Sequence, residues 1–232
     1  MDKKTVLELI DSKASFLNDL GDRIWASPEL AFTEHTSAEI LIQALEEEGF
    51  AVTRNVADID TAFSGRFGSG KPVIGFLGEF DALSSLSQEA GVAEKKAPVA
   101  GGCGHGCGHN NLGVGSLAAA IAVKEYLQKT GKPGTVIYYG CPGEEGGSGK
   151  AFMAREGVFD ELDCAFCWHP GTVNAVTSGS SLANDQILYS FTGVSAHAAG
   201  APHLGRSALD AVELMNVGVN FLREHVIQEA RM

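Results

Sequence analysis

The chain has 232 residues, enough for one large domain or for one domain with part of a second. Lys and Arg number 17 against 29 Asp and Glu, a net charge of −12, which argues against nucleic-acid or anionic-membrane partners because those need clustered basic side chains. With 44% hydrophobic and 20% charged residues the chain is not disordered, and it has neither an apolar run of the ~20 residues a spanning helix needs nor the apolar core of a signal peptide, so a soluble cytoplasmic protein is expected.

Residues 4–26 predict a helix with Val6, Leu7, Ile10, Leu17, Leu20 and Ile24 on one face. Residues 27–30 break it, and a second helix over 34–49 turns Ala38, Leu41, Ile42 and Leu45 inward before ending at Gly49. Short β-rich runs follow at 50–56, 61–67 and 73–79. The run at 73–77 is nearly all apolar, as in a strand buried on both faces. Residues 84–100 form a polar loop. A Gly/Cys/His cluster then leads into an Ala-rich helix over 111–129. Strand 135–139, helix 148–156 and strand 165–168 complete the alternation. This pattern predicts an α/β layer fold with a largely parallel sheet and flanking helices.

Near residue 185 the pattern changes. Residues 186–192 alternate like a half-exposed strand, and a helix follows over 205–226 with Ala208, Val212, Met215, Val219 and Leu222 at helical spacing. One strand and one helix cannot close a core alone, so the chain is expected to be part of something longer. The expected division is a catalytic portion, 1–184, and the first elements of a second unit, 185–232.

Five places along the chain carry the candidate chemistry. The densest is Gly102-Cys103-Gly104-His105-Gly106-Cys107-Gly108-His109-Asn110, where ligand-type side chains alternate with thin backbone. Thiol and imidazole suit zinc and its neighbours; the competing reading is a glycine-rich turn with incidental thiols. Cys141-Pro142-Gly143-Glu144-Glu145-Gly146-Gly147 follows a buried strand, where ligands bind in open α/β sheets. A solvated acidic turn is the plain alternative there, and also for Glu79 and Asp81 after the strand at 73–77. His169, at the end of the strand at 165–168, is a ligand or a structural histidine. His197 lies in a small-residue loop. Cys164 and Cys167 are spaced as C-x-x-C, but their strand setting is expected to turn them toward a core. With five Cys and no secretion signal, a disulfide framework is not expected.

Taken in order, these motifs resemble the dinuclear-metal amidohydrolase family of aminoacylases, carboxypeptidase G and peptidase T. The segment 105–109 resembles the branch with auxin-conjugate and hippurate hydrolases. Asn110, the run Pro-Gly-Glu-Glu-Gly-Gly-Ser-Gly-Lys at 142–150 and Trp-His-Pro at 168–170 are most similar to the p-aminobenzoyl-glutamate hydrolase group. The resemblance implies a zinc-exopeptidase-like fold followed by the start of an α+β lid and dimerisation domain. It also implies two divalent ions, Zn²⁺ or Mn²⁺, and hydrolysis of an amide in an N-acyl amino acid, an aminobenzoyl-glutamate-like conjugate or a dipeptide.

Carried over by position, Cys107, His109, Glu145 and His169 fall on metal ligands and Glu144 on the general base. Asp81 falls on the acidic residue that supports the metals, and Glu79 stands where many relatives have a ligand histidine. His197 falls on a lid histidine that reaches a neighbouring protomer's site, which implies a homodimer or pairing with a related chain. The family's last histidine ligand lies further downstream and is absent here. Two other readings stay open: a non-catalytic metal-binding or assembly chain, and a cysteine hydrolase using Cys107 and His109.

Overall fold

All seven residues of the strand Gly134–Gly140 are buried, and its side chains alternate between two apolar layers. Val136 and Tyr138 join one cluster, while Ile137 and Tyr139 join the other. That is the period of two expected for a central strand covered on both faces. The computed structural model describes residues 2–232. The chain divides into two compact units, one running to Val173 and the other Asn174–Met232.

In the first unit the helices are α1 (Lys3–Ser12), α2 (Ala14–Trp25), α3 (His35–Glu47), α4 (His109–Thr130) and α5 (Gly149–Arg155). The strands are β1 (Ala51–Arg54), β2 (Phe63–Ser69), β3 (Val73–Gly78), β4 (Gly134–Gly140) and β5 (Cys164–Phe166), in the order β1-β2-β4-β3-β5. β4, β3 and β5 run parallel, while β2 is antiparallel to both β1 and β4. The sheet is therefore mixed rather than largely parallel. Residues 55–62, between β1 and β2, are too few for the crossover of a dozen or more residues that a parallel pair needs.

Leu20, Ile24, Leu41, Leu45, Leu117 and Ile121 of the helices pack with Phe63 and Tyr138 in the larger cluster. Val73, Cys141 and Met153 pack with Ile137 and Tyr139 in the smaller one. The predicted helix over 4–26 is two helices. They meet at Lys13, whose φ of −98° and ψ of 4° depart from helical values. There the Lys13 Nζ donates to Glu48 Oε1 at 2.6 Å.

β5 is a sheet edge, and Cys164 and Cys167 are exposed rather than core-facing. A strand with a neighbour on one side only has less to bury its faces against.

In the second unit, residues 186–192 form no ladder among the described residues. A strand persists through backbone pairing, and the pairing nearest to it is a single bridge between Val194 and Arg206. The helix α6 (Ala208–Leu222) is capped by the Ser207 hydroxyl, which accepts from Asp210 N–H at 3.1 Å. Among the described residues no helix is long and apolar enough to cross a membrane.

Candidate metal centre

Three parallel strands deliver the ligand-type residues. Glu79 and Asp81 follow β3, residues 141–147 follow β4, and His169 lies just beyond β5. Carboxyl ends of parallel strands are where open α/β sheets bind ligands, because the chain leaves the hydrogen-bonded sheet there. The glycine-rich loop supplies Cys107 and then enters α4 at His109. Gly108 makes that turn with φ +80°, a left-handed conformation that favours glycine.

His109 is the hub and is fully buried. Its Nδ1–H donates to Asp81 Oδ1 at 2.9 Å, since an ionised carboxylate can only accept. Asp81 Oδ2 accepts the Glu145 backbone N–H at 2.8 Å. One carboxylate thus fixes both the imidazole and the turn that carries the paired glutamates.

The other imidazole nitrogen, His109 Nε2, lies 3.1 Å from Glu79 Oε2, 3.9 Å from Glu144 Oε2 and 4.0 Å from Glu145 Oε1. His109 Nε2, Glu79 Oε2 and Glu145 Oε1 are buried without a hydrogen-bond partner. Three orphaned polar atoms facing one space would each carry a desolvation cost of about 1–3 kcal/mol or more. A divalent cation fits them, and it fits the thiol, imidazole and carboxylate donors around them.

Two sets of three donors lie within 4.8 Å of one another: Cys107, His109 and His169, and Glu79, His109 and Glu144. Cys107 Sγ lies 3.2 Å from His169 Nε2. His169 Nδ1–H donates to Pro170 O at 2.9 Å, which leaves Nε2 as the acceptor for the thiol.

The electrostatics follow from crowding. Burial pushes the Cys107 thiol up to about 11, helped by its contact with Glu145 and by the charges of Glu145, Glu144 and Glu79. Crowded by carboxylates, a Cys107 thiolate needs a cation beside it, and thiolate is the form in which cysteine ligates metal. Burial also raises the Glu144 pKa, as do the charges of Glu79 and Glu145. Burial pulls His109 down, but the Asp81 hydrogen bond and the surrounding carboxylates outweigh it, and the net direction is up.

The expected site residues thus divide. Cys107, His109 and His169 converge, and Asp81, Glu144 and Glu145 adjoin them. His197 lies in the second unit, where its Nδ1 accepts the Gly200 N–H at 2.9 Å. His105 is buried against the Ile24 carbonyl, 3.1 Å away, and burial lowers its pKa. Glu79, singled out in the sequence but given no ligand role there, belongs to a donor set. One participant was missed: Lys150, whose Nζ donates to Glu79 Oε1. The signal for Lys150 was its position at the end of the Gly-rich run 142–150.

A buried imidazole oriented by one carboxylate, beside a thiol, a second imidazole and further carboxylates at the ends of parallel strands, is a donor set that could hold a metal ion. The family model for peptidase family M20/M25/M40 matches residues 75–221, and the chain belongs to that family. It is 55% identical to a p-aminobenzoyl-glutamate hydrolase chain of Escherichia coli over 97% of its own length and 47% of that protein. It is 31% identical to Xaa-Arg dipeptidase of Mus musculus over 97% of its own length and 51% of that protein. The chain therefore spans about half the length of these curated relatives.

Among solved structures, a dinuclear metal binding peptidase of the M20 family from Bacillus subtilis aligns with a TM-score of 0.58 at 22% identity, covering 69% of this chain and 44% of that one. An aminobenzoyl-glutamate utilization protein from Klebsiella pneumoniae aligns with a TM-score of 0.55 at 18% identity, covering 72% of this chain and 46% of that one. At such identities the likeness concerns the fold alone.

Proposed function

We propose that this chain is the metal-binding portion of an amidohydrolase that cleaves the amide of an N-acyl amino acid, an aminobenzoyl-glutamate-like conjugate or a dipeptide. The observation that carries the reading is the convergence of His109 Nε2, Glu79 Oε2 and Glu145 Oε1, all buried and all without a partner, beside Cys107 and His169. The 55% identity to a relative named for p-aminobenzoyl-glutamate hydrolysis supports the substrate class.

In this reading Cys107, His109, Glu145 and His169 hold Zn²⁺ or Mn²⁺, with Glu79 as a further donor and Asp81 orienting His109. Two such divalent ions would lower the pKa of a water and polarise the scissile carbonyl. Glu144 takes the proton of the attacking water and delivers it to the leaving nitrogen. Burial and the charges of Glu79 and Glu145 raise its pKa, the direction that suits a group which both accepts and returns a proton. His197 donates to the developing oxyanion, in an assembly with a second copy or a related chain.

A chain that binds metal without turnover is the reading to be separated from this one. Elemental analysis of protein purified without chelator, with hydrolysis assays on p-aminobenzoyl-glutamate and N-acetyl-glutamate, tests both. Bound metal with turnover supports the first reading. Bound metal without turnover supports the second, and absence of metal overturns both.

A further inference from the structure

Outside the donor cluster, the segment 26–34 between α2 and α3 holds a carboxylate that the mechanism above does not use. Glu34 is fully buried. Its Oε1 accepts the Gly143 backbone N–H at 2.8 Å, and its Oε2 accepts the Thr61 hydroxyl at 3.0 Å. Gly143 immediately precedes Glu144 yet lies 109 residues from Glu34 in sequence. A carboxylate taken fully out of water is costly unless it is hydrogen-bonded, and both Glu34 oxygens are.

The same segment grips the site at further points. The Glu29 carbonyl accepts the Ala82 N–H at 2.8 Å, next to Asp81. Phe32 sits at φ +62°, an unusual conformation for an aromatic residue. Its ring covers the glycine turn so closely that a Cβ on Gly143 would come within 2.7 Å of it. Gly143 itself has φ +63°, so neither space nor backbone allows a side chain there.

We propose that Glu34 is a positioning residue: by accepting the Gly143 N–H it fixes the turn at 143–145 and so aims the Glu144 carboxylate at the donor cluster. This rests on the reading of Glu144 as the base. A buried acceptor held on a backbone N–H fixes the turn that carries it, and small misplacement of a catalytic group is costly in rate.

The test compares Glu34→Gln, Glu34→Ala and Glu34→Asp in the whole chain. Amide hydrogen exchange is followed at 143–145 and in β4, together with metal content and the hydrolysis assays. Gln keeps an acceptor within reach of Gly143, whereas Ala removes it and Asp keeps the charge but is one methylene short. If Ala fails to fold, Asp carries the comparison. Exchange at 143–145 should rise about tenfold in Ala and Asp while β4 is unchanged, and Gln should restore most of the protection. Where turnover is measurable, kcat should fall about tenfold or more with KM little changed.

Unchanged exchange at 143–145, or faster exchange with unaltered kcat, overturns the proposal. Wild-type protein without metal or turnover would instead overturn the function. The exchange pattern would then still decide whether Glu34 holds the turn.

Discussion

Asp81 and His109 are joined by a buried 2.9 Å hydrogen bond that fixes which imidazole nitrogen faces the donor cluster. With Nδ1–H committed to the carboxylate, Nε2 is the free lone pair, and it points at Glu79, Glu144 and Glu145. The other Asp81 oxygen accepts the Glu145 N–H, so loops following two different strands share one anchor.

Replacing Asp81 by Asn tests this anchor. The amide oxygen can still accept from one partner, but the NH₂ must then face the other N–H donor. Metal affinity should drop about 10–100-fold, the usual cost of losing a partner that orients a ligand histidine. Chelator competition measures it, and an affinity within about threefold of wild type would remove Asp81 from this role.

A second prediction concerns pH and the start of α3. Both Glu29 carboxylate oxygens accept backbone N–H groups there, from Thr36 and Ser37, each at 2.9 Å. Burial raises the Glu29 pKa, but these bonds outweigh it and the net shift is downward from 4.5. A depressed pKa contributes stability above the unfolded-state value and loses it as pH falls. Glu29→Ala should therefore cost about 1 kcal/mol at neutral pH, as loss of a helix cap does, and progressively less below about 4.5. Urea denaturation at several pH values reads the difference. An equal cost at acid and neutral pH would show that packing, not charge, is responsible.

The layer of helices over the sheet gives a third. Leu117 is fully buried in the larger cluster, on the face of α4 toward the sheet. Leu117→Ala should cost about 2–5 kcal/mol in urea denaturation, because a tightly packed site cannot collapse around the cavity. A loss below about 1 kcal/mol would mean that this layer is loosely packed.

The elements that sequence reasoning located best are those whose apolar pattern is decided locally. The buried run of β4 and the apolar core of β3 are written in consecutive residues, and the inward face of α3 in residues three and four apart. What escaped it depends on distant partners. The direction of β2 is set by pairing with β4, far along the chain, in a register that places Phe63 opposite Gly140. The run at 186–192 has strand-like alternation but no paired neighbour among the described residues. In the site, the types and order of Cys107, His109, Glu144, Glu145 and His169 were readable because each follows a strand or a glycine turn. The bonds Glu34–Gly143 and Lys150–Glu79 were not, because nothing near either carboxylate names its partner.

The paired glutamates give the last prediction, because their surroundings differ although they are adjacent. The Glu144 side chain is 44% exposed and that of Glu145 21% exposed. Of the two, only Glu145 has a buried oxygen without a partner, and its backbone is tied to Asp81. A ligand should be the anchored, desolvated member, while a base needs access to water and a raised pKa, which Glu144 has. Glu145→Ala should therefore release metal in elemental analysis. Glu144→Gln is nearly isosteric and cannot accept a proton, so it should retain the metal and lower hydrolysis about 10²-fold or more in any version of the protein that turns over. The reverse pattern, with metal lost from Glu144→Gln and turnover kept in Glu145→Ala, would exchange the two roles.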